Sequence, residues 1–441
     1  AMAEIKKVYQ DVKFSLESIS ENIKVKLDNQ YFFTNLNEFE FKYEIIKDGV
    51  IIKNGQFNLD LKPQSSKIIE LTLDDNLLDE LKKEDNLKTK DYHLNLFGIL
   101  KKEKNLIPTN HLLLAEQLEL IKSNFKSQLS QETESIKIKS SKDLIRVYNK
   151  NIEINFDKIN GELIAYKINN NEYIDKAPYL NFWRAPIDND YGNKLPVRSK
   201  EWKIASHNRK LKSFDYEKIN NDLIKVTSKY ELINLSSFYI TEFLINGKGE
   251  ITITNDFKYN GELKDAEMPR FGMNVQIPKA YYNVKWYGRG KHENYIDRKN
   301  SAFKGIYNST VSDLGYDYSR PQENGYRIEN RWLQLTNKEG VGFKVYGDPY
   351  ISFSAHFNTI EDFDDGLSEN EPGQKSSPRS RIVKKQRKPI DVPKRDFISL
   401  NIDLKQMGVG GDNSWGARPL KKYLIQPSSY KYSFIIKPIT N

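Results

Sequence analysis

Apolar and polar residues alternate along most of this chain. Ile23, Val25 and Leu27 are separated by Lys24 and Lys26, and "FEFKYEIIKDGVII" sets the Asp48-Gly49 pair between two apolar runs. That pattern predicts strands joined by a tight hairpin. Strand-like alternation continues through "SSKIIELTL" and "YHLNLFGIL", with a short stretch, "NLLDELKKEDNLK", suited to a turn or two of helix between them. Residues 1–121 therefore predict an antiparallel sandwich of roughly seven strands, immunoglobulin-like in size and turn spacing. Residues 122–141, rich in Ser, Lys and Gln with few bulky groups, read as a linker.

From residue 142 to 441 strands resume in "IEINFDKINGELIAYKI", "DLIKVTSKYEL", "SFYITEFLI" and "EITITNDFKY". Near the end Ile398, Leu400, Ile402 and Leu404 alternate with Ser399, Asn401 and Asp403, and Tyr430, Tyr432, Phe434 and Ile436 show the same period. Both segments are expected as half-buried strands. With no alternation of strands and helices, the fold class is all-β: an immunoglobulin-like β-sandwich followed by a large antiparallel β-supersandwich. No fixed-period repeat is visible.

Composition narrows the function classes. The 441 residues allow more than one domain. The 69 basic and 60 acidic residues leave a mild +9, spread over lysine-rich surface stretches, which speaks against nucleic acid as a partner. The densest basic cluster, "KKQRKPIDVPKR" from Lys384 to Arg395, lacks interleaved aromatics and reads as an exposed loop. There is no cysteine, so disulfides and thiolate metal sites are excluded. Histidines at 93, 111, 207, 292 and 356 have no metal-ligand spacing. No apolar run reaches the length of a membrane span, and "AMAEIKK" has no secretory apolar core. A membrane is not an expected partner, and cytoplasm and periplasm stay open. Ala1 and Met2 read as a cloning remnant, so the natural chain is expected to begin upstream.

Three stretches carry residue types unsuited to plain strands: "NFWRAPIDNDYGNK" (Asn181–Lys194), "YGRGKHENYIDRKNSAFKGIY" (Tyr287–Tyr307) with its continuation "DLGYDYSRPQENGYR", and "MGVGGDNSWG" (Met407–Gly416). Gly, Asp, Asn, Arg and Trp on loops between rigid strands are where ligands commonly bind. Trp415, on a Gly-rich turn, suits stacking on the apolar face of a sugar ring, with Asp412 and Asn413 taking the hydroxyls; it equally suits plugging a gap against another domain. Arg184, Asp188, Asn189 and Asp190 fit a carbohydrate or cation site, with Asp188 and Asp190 on one side of a strand, or a buried ion-pair corner. Arg289, His292, Glu293, Tyr295, Asp297 and Arg298 offer two carboxylates and a histidine for acid–base work, or a charge-locked connection around the Gly288–Gly290 turn.

The segments "KKVYQDVKF", "LLLAEQLEL", "FWRAPIDNDYG", "WYGRGKHENYIDRKNSAFKGIY", "SRPQENGYRIENRW" and "IDLKQMGVGGDNSWG" resemble, in order and spacing over nearly the whole chain, the C-terminal part of the family 2 glycoside hydrolases, the β-galactosidases. One departure is Lys291 where the family usually has proline, which loosens the turn without abolishing it. The resemblance implies that 1–121 is the immunoglobulin-like domain after the catalytic barrel and that 142–441 is the small-chain, galactose-mutarotase-like supersandwich. It implies that the catalytic glutamates sit on that barrel, of which nothing here is a counterpart. The chain alone is then expected to be inactive, with no catalytic or metal residues of its own. Retaining hydrolysis needs two carboxyl groups about 5 to 5.5 Å apart.

By the same resemblance Trp415 is an aromatic platform for the aglycone of a β-galactoside, helped by Asp412 and Asn413. Gly192 and Asn193 lie near the same mouth. Arg184, Asp188, Asp190, Arg289, His292, Glu293 and Asp297 are expected, from their charge pairing rather than from the resemblance, to form the scaffold. Partners are then the barrel, of the same or a companion chain, and copies of the full enzyme in a homo-oligomer. No cofactor is expected in this chain, with Mg²⁺ or Na⁺ near the barrel of the full enzyme. The rival readings are an independent carbohydrate-binding module and a natural small subunit of a split enzyme.

Overall fold

The computed structural model describes residues 2–82, 89–123, 126–131, 133–263, 266–364 and 388–440. The chain divides into two compact units, Ala1–Lys126 with Lys299–Ile306, and Ser127–Arg298 with Tyr307–Asn441. Large antiparallel sheets make up both, so the protein is all-β.

In the first unit, Val12–Ile19, Asn22–Asn29 and Ser65–Thr72 form a three-stranded sheet, while Val50–Asn58, Phe39–Lys47, Tyr92–Leu100 and Leu112–Ile121 form a four-stranded one. The inward residues of each strand supply one core that includes Val25, Phe41, Leu94 and Leu96. The hairpin falls where the Asp-Gly pair predicts: Asp48 and Gly49 both have positive φ, 48° and 84°, between strands paired Lys47 to Val50. Positive φ at both central positions matches the right-handed twist of the flanking strands. The helix Asp75–Lys82 follows, and residues 83–88 of the segment read as helical lie outside the described residues. Residues 299–306 complete this unit from far along the sequence. Glu4 accepts hydrogen bonds from the Asn300 and Ser301 amides at 3.0 and 2.8 Å, and the Gln117 side-chain amide bonds both main-chain groups of Lys304 at 2.7 and 2.9 Å.

The second unit holds a five-stranded sheet from Lys137–Ser140 to Asn171–Glu172 and a much larger one. Lys137–Ser140 lies inside the stretch expected as a linker. It pairs with Leu144–Tyr148, Ile136 is buried, and Ser130 and Thr133 are held by the carboxylates of Glu250 and Asp222. Residues 124, 125 and 132 of that stretch, and 384–387 of the basic cluster, lie outside the described residues.

In the large sheet Lys176–Asn181, Arg270–Pro278, Phe397–Gln406, Gly342–His356 and Tyr430–Ile439 are successive neighbours. Here one expectation is corrected. Phe397–Gln406 is buried on both faces rather than one. Its apolar face, Ile398, Leu400 and Ile402, joins the main core. Its polar face is covered by a network in which Asn181 and Asn274 both donate to Asn401 Oδ1 at 2.8 and 3.0 Å, and Asn401 donates to Ser354 at 3.0 Å. Alternation marks a polar face, but whether water or other polar groups satisfy it depends on what packs above.

Candidate functional site

Parts of the three unusual stretches meet in the second unit. After Lys176–Asn181 the chain turns through Trp183 to Pro186 and enters a short helix, Asp188–Gly192, where the sequence pattern had suggested a strand. The cause is local: the Asp190 carboxylate reaches back to the Ile187 amide at 3.0 Å, capping the turn. That carboxylate also accepts from Arg184 Nη2 on both of its oxygens, at 3.1 and 2.9 Å. The two side chains are 0% and 1% exposed. Burial pushes the Asp190 pKa up, and the Arg184 charge offsets that only in part. Asp188 does not share this environment. It sits at the surface, paired with Arg320 at 3.1 Å, so the Asp188–Asp190 pair is not a two-carboxylate site.

Arg184 also donates to the Met407 carbonyl at 3.0 Å, tying this corner to the start of the Gly-rich loop. The loop is fastened again at its middle, where Asp297 accepts from the Val409 and Gly410 amides at 3.1 and 2.6 Å. Gly408 is required there, because a Cβ would stand 2.6 Å from the Asp297 carboxylate. At its far end Asn413 Oδ1 accepts from the Trp415 and Ala417 amides at 2.9 and 3.2 Å, while the Asn413 carbonyl accepts from Asn189 at 2.9 Å. Gly416, at φ 116°, presses on Gly192, where a Cβ would lie 2.6 Å from the Trp415 carbonyl. Pinned at these points, the loop holds Trp415 with 84% of its surface exposed. The ring therefore does not plug a gap among the described residues of its own unit.

These contacts redefine several candidates. The Asn413 acceptor is spent on the loop, leaving its amide N–H groups and the exposed Asp412 for a ligand. Asn193 Oδ1 accepts from Arg198 at 3.1 Å, and Arg198 in turn pairs with Glu267. Glu293 is engaged on every side: Arg298 donates to it at 2.7 Å, the Gly325 amide at 2.9 Å, and the Tyr318 hydroxyl through a short bond. Arg289 pairs with Glu329 at 2.7 Å. The Asn294 amide donates to the His292 carbonyl at 3.0 Å.

Two sets went unread in the sequence. Arg270 is enclosed by Glu323 at 3.0 Å, Gln406 at 2.5 Å and Asp403 at 3.5 Å, with the Tyr326 ring 5.4 Å from its guanidinium. Burial raises the Glu323 pKa and pushes Asp403 up to about 7, Arg270 partly offsetting both. Arg320 lies 3.9 Å over the Tyr191 ring. The glutamate, tyrosine and Arg320 stand in the "SRPQENGYR" stretch, but only folding brings them to partners scores of residues away. No group of three or more His, Asp or Glu suited to a metal ion occurs among the described residues. No helix among them is long and apolar enough to cross a membrane.

The fold and site thus define an all-β protein whose supersandwich displays a pinned, tryptophan-bearing loop above a buried network of ion pairs. Comparison with known proteins is specific. Residues 148–436 match the β-galactosidase small chain, and residues 25–121 match β-galactosidase domain 4. The chain belongs to the β-galactosidase small-chain family and corresponds to a C-terminal part of a β-galactosidase. A β-galactosidase of Priestia megaterium is 29% identical over 441 residues, covering 99% of this chain and 40% of that protein. One of Streptococcus thermophilus is 25% identical over 439 residues, covering 99% and 39%. The chain therefore spans about 40% of the length of the curated relatives it matches. Among solved structures, a galactose 1-epimerase of Lactobacillus acidophilus aligns with 69% of this chain and 98% of its own at 8% identity, with a TM-score of 0.35.

Proposed function

We propose that this chain is a non-catalytic portion of a β-galactosidase that supplies the aglycone side of a sugar site whose reacting groups lie on a barrel elsewhere in the longer protein or in a companion chain. The observation that carries this reading is the exposed Trp415 ring on a loop fixed by Asp297, Asn413 and Gly192. An indole held open at this entropic expense suits a flat sugar face, with Asp412 and the Asn413 amide placed beside it for hydroxyls. Glu293, Asp297 and Asp190 support the non-catalytic part of the reading, since each carboxylate is already committed to arginine, tyrosine or main-chain partners.

Residues 1–121 act as the immunoglobulin-like domain, a short connection follows, and the small-chain domain takes in the strand Lys137–Ser140 and runs to 441, in line with the extents of the two family matches. The full enzyme is a homo-oligomer, and any Mg²⁺ or Na⁺ sits with the barrel. The test is hydrolysis of a nitrophenyl β-galactoside by this chain, by the remainder of the enzyme, and by the two mixed. Turnover only in the mixture is expected. Turnover by this chain alone would overturn the proposal and return attention to Glu293 and Asp297.

A further inference from the structure

The second unit also carries an open cleft of about 540 Å³, lined by no residue of the Gly-rich loop. That volume falls within the range of small-molecule sites. Its mouth is set by Tyr316 and Tyr318, whose rings lie 4.6 Å apart at 58°, with Tyr316 62% exposed. Tyr318 is fixed through its hydroxyl to Glu293, so the pair is a prepared aromatic wall rather than two loose side chains.

The lining is polar and offers two acceptors with no partner among the described residues. His356 Nε2 lies 3.1 Å from the Asn324 carbonyl, which can only accept, so Nε2 carries the proton. Burial pushes the His356 pKa down to about 4, so the ring is neutral and Nδ1 is an acceptor. Gly315 keeps that edge open, since a Cβ there would lie 3.6 Å from Nδ1, in van der Waals contact, and cover it. The ring is braced from its other side by Phe363, edge-on at 5.2 Å. Asn358 is similar: its amide donates to the Pro393 carbonyl at 2.6 Å, and among the described residues no group bonds its Oδ1. Asp317 and Lys394, of opposite charge, stand at the rim and give no net field that would select an ion.

A ligand for this cleft must present a flat face to tyrosine and bring donors to Nδ1 and Oδ1, without net charge. We propose that it is a second carbohydrate site, taking a neutral mono- or disaccharide whose hydroxyls donate to His356 and Asn358 while one ring face rests on Tyr316. This goes beyond the Trp415 platform and does not depend on it.

Isothermal titration of the chain with galactose, glucose and lactose tests it, using wild type, Tyr316→Ala and Trp415→Ala. Tyr316 is exposed, so its truncation leaves folding intact. The expected result is saturable millimolar binding to wild type with at least one of the three sugars, kept in Trp415→Ala and weakened about tenfold or more in Tyr316→Ala. No saturable binding to wild type overturns the proposal. So does binding that survives Tyr316→Ala, or that is lost in Trp415→Ala, which would move the sugar to the Gly-rich loop. None of these outcomes bears on hydrolysis by the mixed parts, so the two readings fail separately.

Discussion

Asp297 carries hydrogen bonds from the charged segment to the Gly-rich loop, and its removal tests how far they hold that loop, and with it Trp415, in place. In Asp297→Ala the Val409 and Gly410 amides lose a carboxylate acceptor at 3.1 and 2.6 Å. A hydrogen bond to a charged group contributes about 1.5–3 kcal/mol. Gly410 is exposed, so its freed N–H is rehydrated and its share falls well below that range; Val409 is half-buried and retains most of its loss. The two together amount to roughly 2–3 kcal/mol, confined to the loop, because the strand Phe397–Gln406 keeps its pairing on both sides.

Local opening of that size corresponds to about 30- to 150-fold faster amide exchange at 1.4 kcal/mol per decade. Hydrogen exchange read by mass spectrometry should therefore show acceleration in peptides covering 408–417 and none in 397–406. Asp297→Asn keeps one acceptor oxygen and should give an intermediate effect, near tenfold. Unchanged exchange at 408–417 in Asp297→Ala would refute the reasoning, and equal acceleration in both peptides would show that the carboxylate supports the sheet rather than the loop.

Three further outcomes follow from the buried charges. Arg184→Met strands the Asp190 carboxylate and the Met407 carbonyl, and breaking a buried pair from one side costs about 3–5 kcal/mol; urea unfolding should show that loss, with much of it recovered in the Arg184→Met/Asp190→Leu double variant. Asp403 and His356 oppose each other in pH dependence. With its folded pKa raised to about 7, Asp403 favours the folded state most at low pH and loses that contribution as pH rises from its unfolded value of 3.8 through 7. With its folded pKa lowered from 6.5 to about 4, His356 does the reverse, and its contribution is lost as pH falls through that window. Each slope is worth roughly 2 kcal/mol between pH 5 and 7 at 1.36 kcal/mol per pKa unit, somewhat less for His356, whose edge meets the cleft. Unfolding free energies at the two pH values should show Asp403→Asn gaining stability at pH 7 relative to pH 5 compared with wild type, and His356→Gln the opposite.

The strands were legible because period-two alternation survives wherever one face is apolar, and the Asp48-Gly49 hairpin because its turn needs residues that tolerate positive φ. Phe397–Gln406 shows the limit of that signal. Ser399, Asn401 and Asp403 read as a wet face, yet Ser399 and Asn401 are bonded by Asn181, Asn274 and Ser354, and Asp403 faces Arg270. At Asp188–Gly192 two alternatives stand open: the Asp-Asn-Asp sequence suits a turn at a buried ion-pair corner, whereas the carbohydrate or cation site assumes a strand period where the Asp190 carboxylate caps a turn. Long-range pairing left no mark at all: Asp297 with the loop at 409–410, Arg270 with Glu323 and Asp403, and residues 299–306 with Glu4 and Gln117 are joined only by the fold. The stretches that carry chemistry could be picked out by composition, whereas the division of roles within them, Asp190 buried and Asp188 exposed, required coordinates.

The central proposal, that Trp415 is a platform for the aglycone, is tested most directly in the activity reconstituted from this chain and the barrel-bearing part, whether that part is the same or a companion chain. Stacking on an aromatic ring contributes about 0.5–1.5 kcal/mol beyond burial, so Trp415→Ala should weaken competitive binding of a glucose-type aglycone roughly 2- to 12-fold, Trp415→Phe should restore part of it, and inhibition by galactose alone should not change. Aglycone binding that is indifferent to Trp415→Ala, or galactose inhibition that weakens equally, would contradict the account.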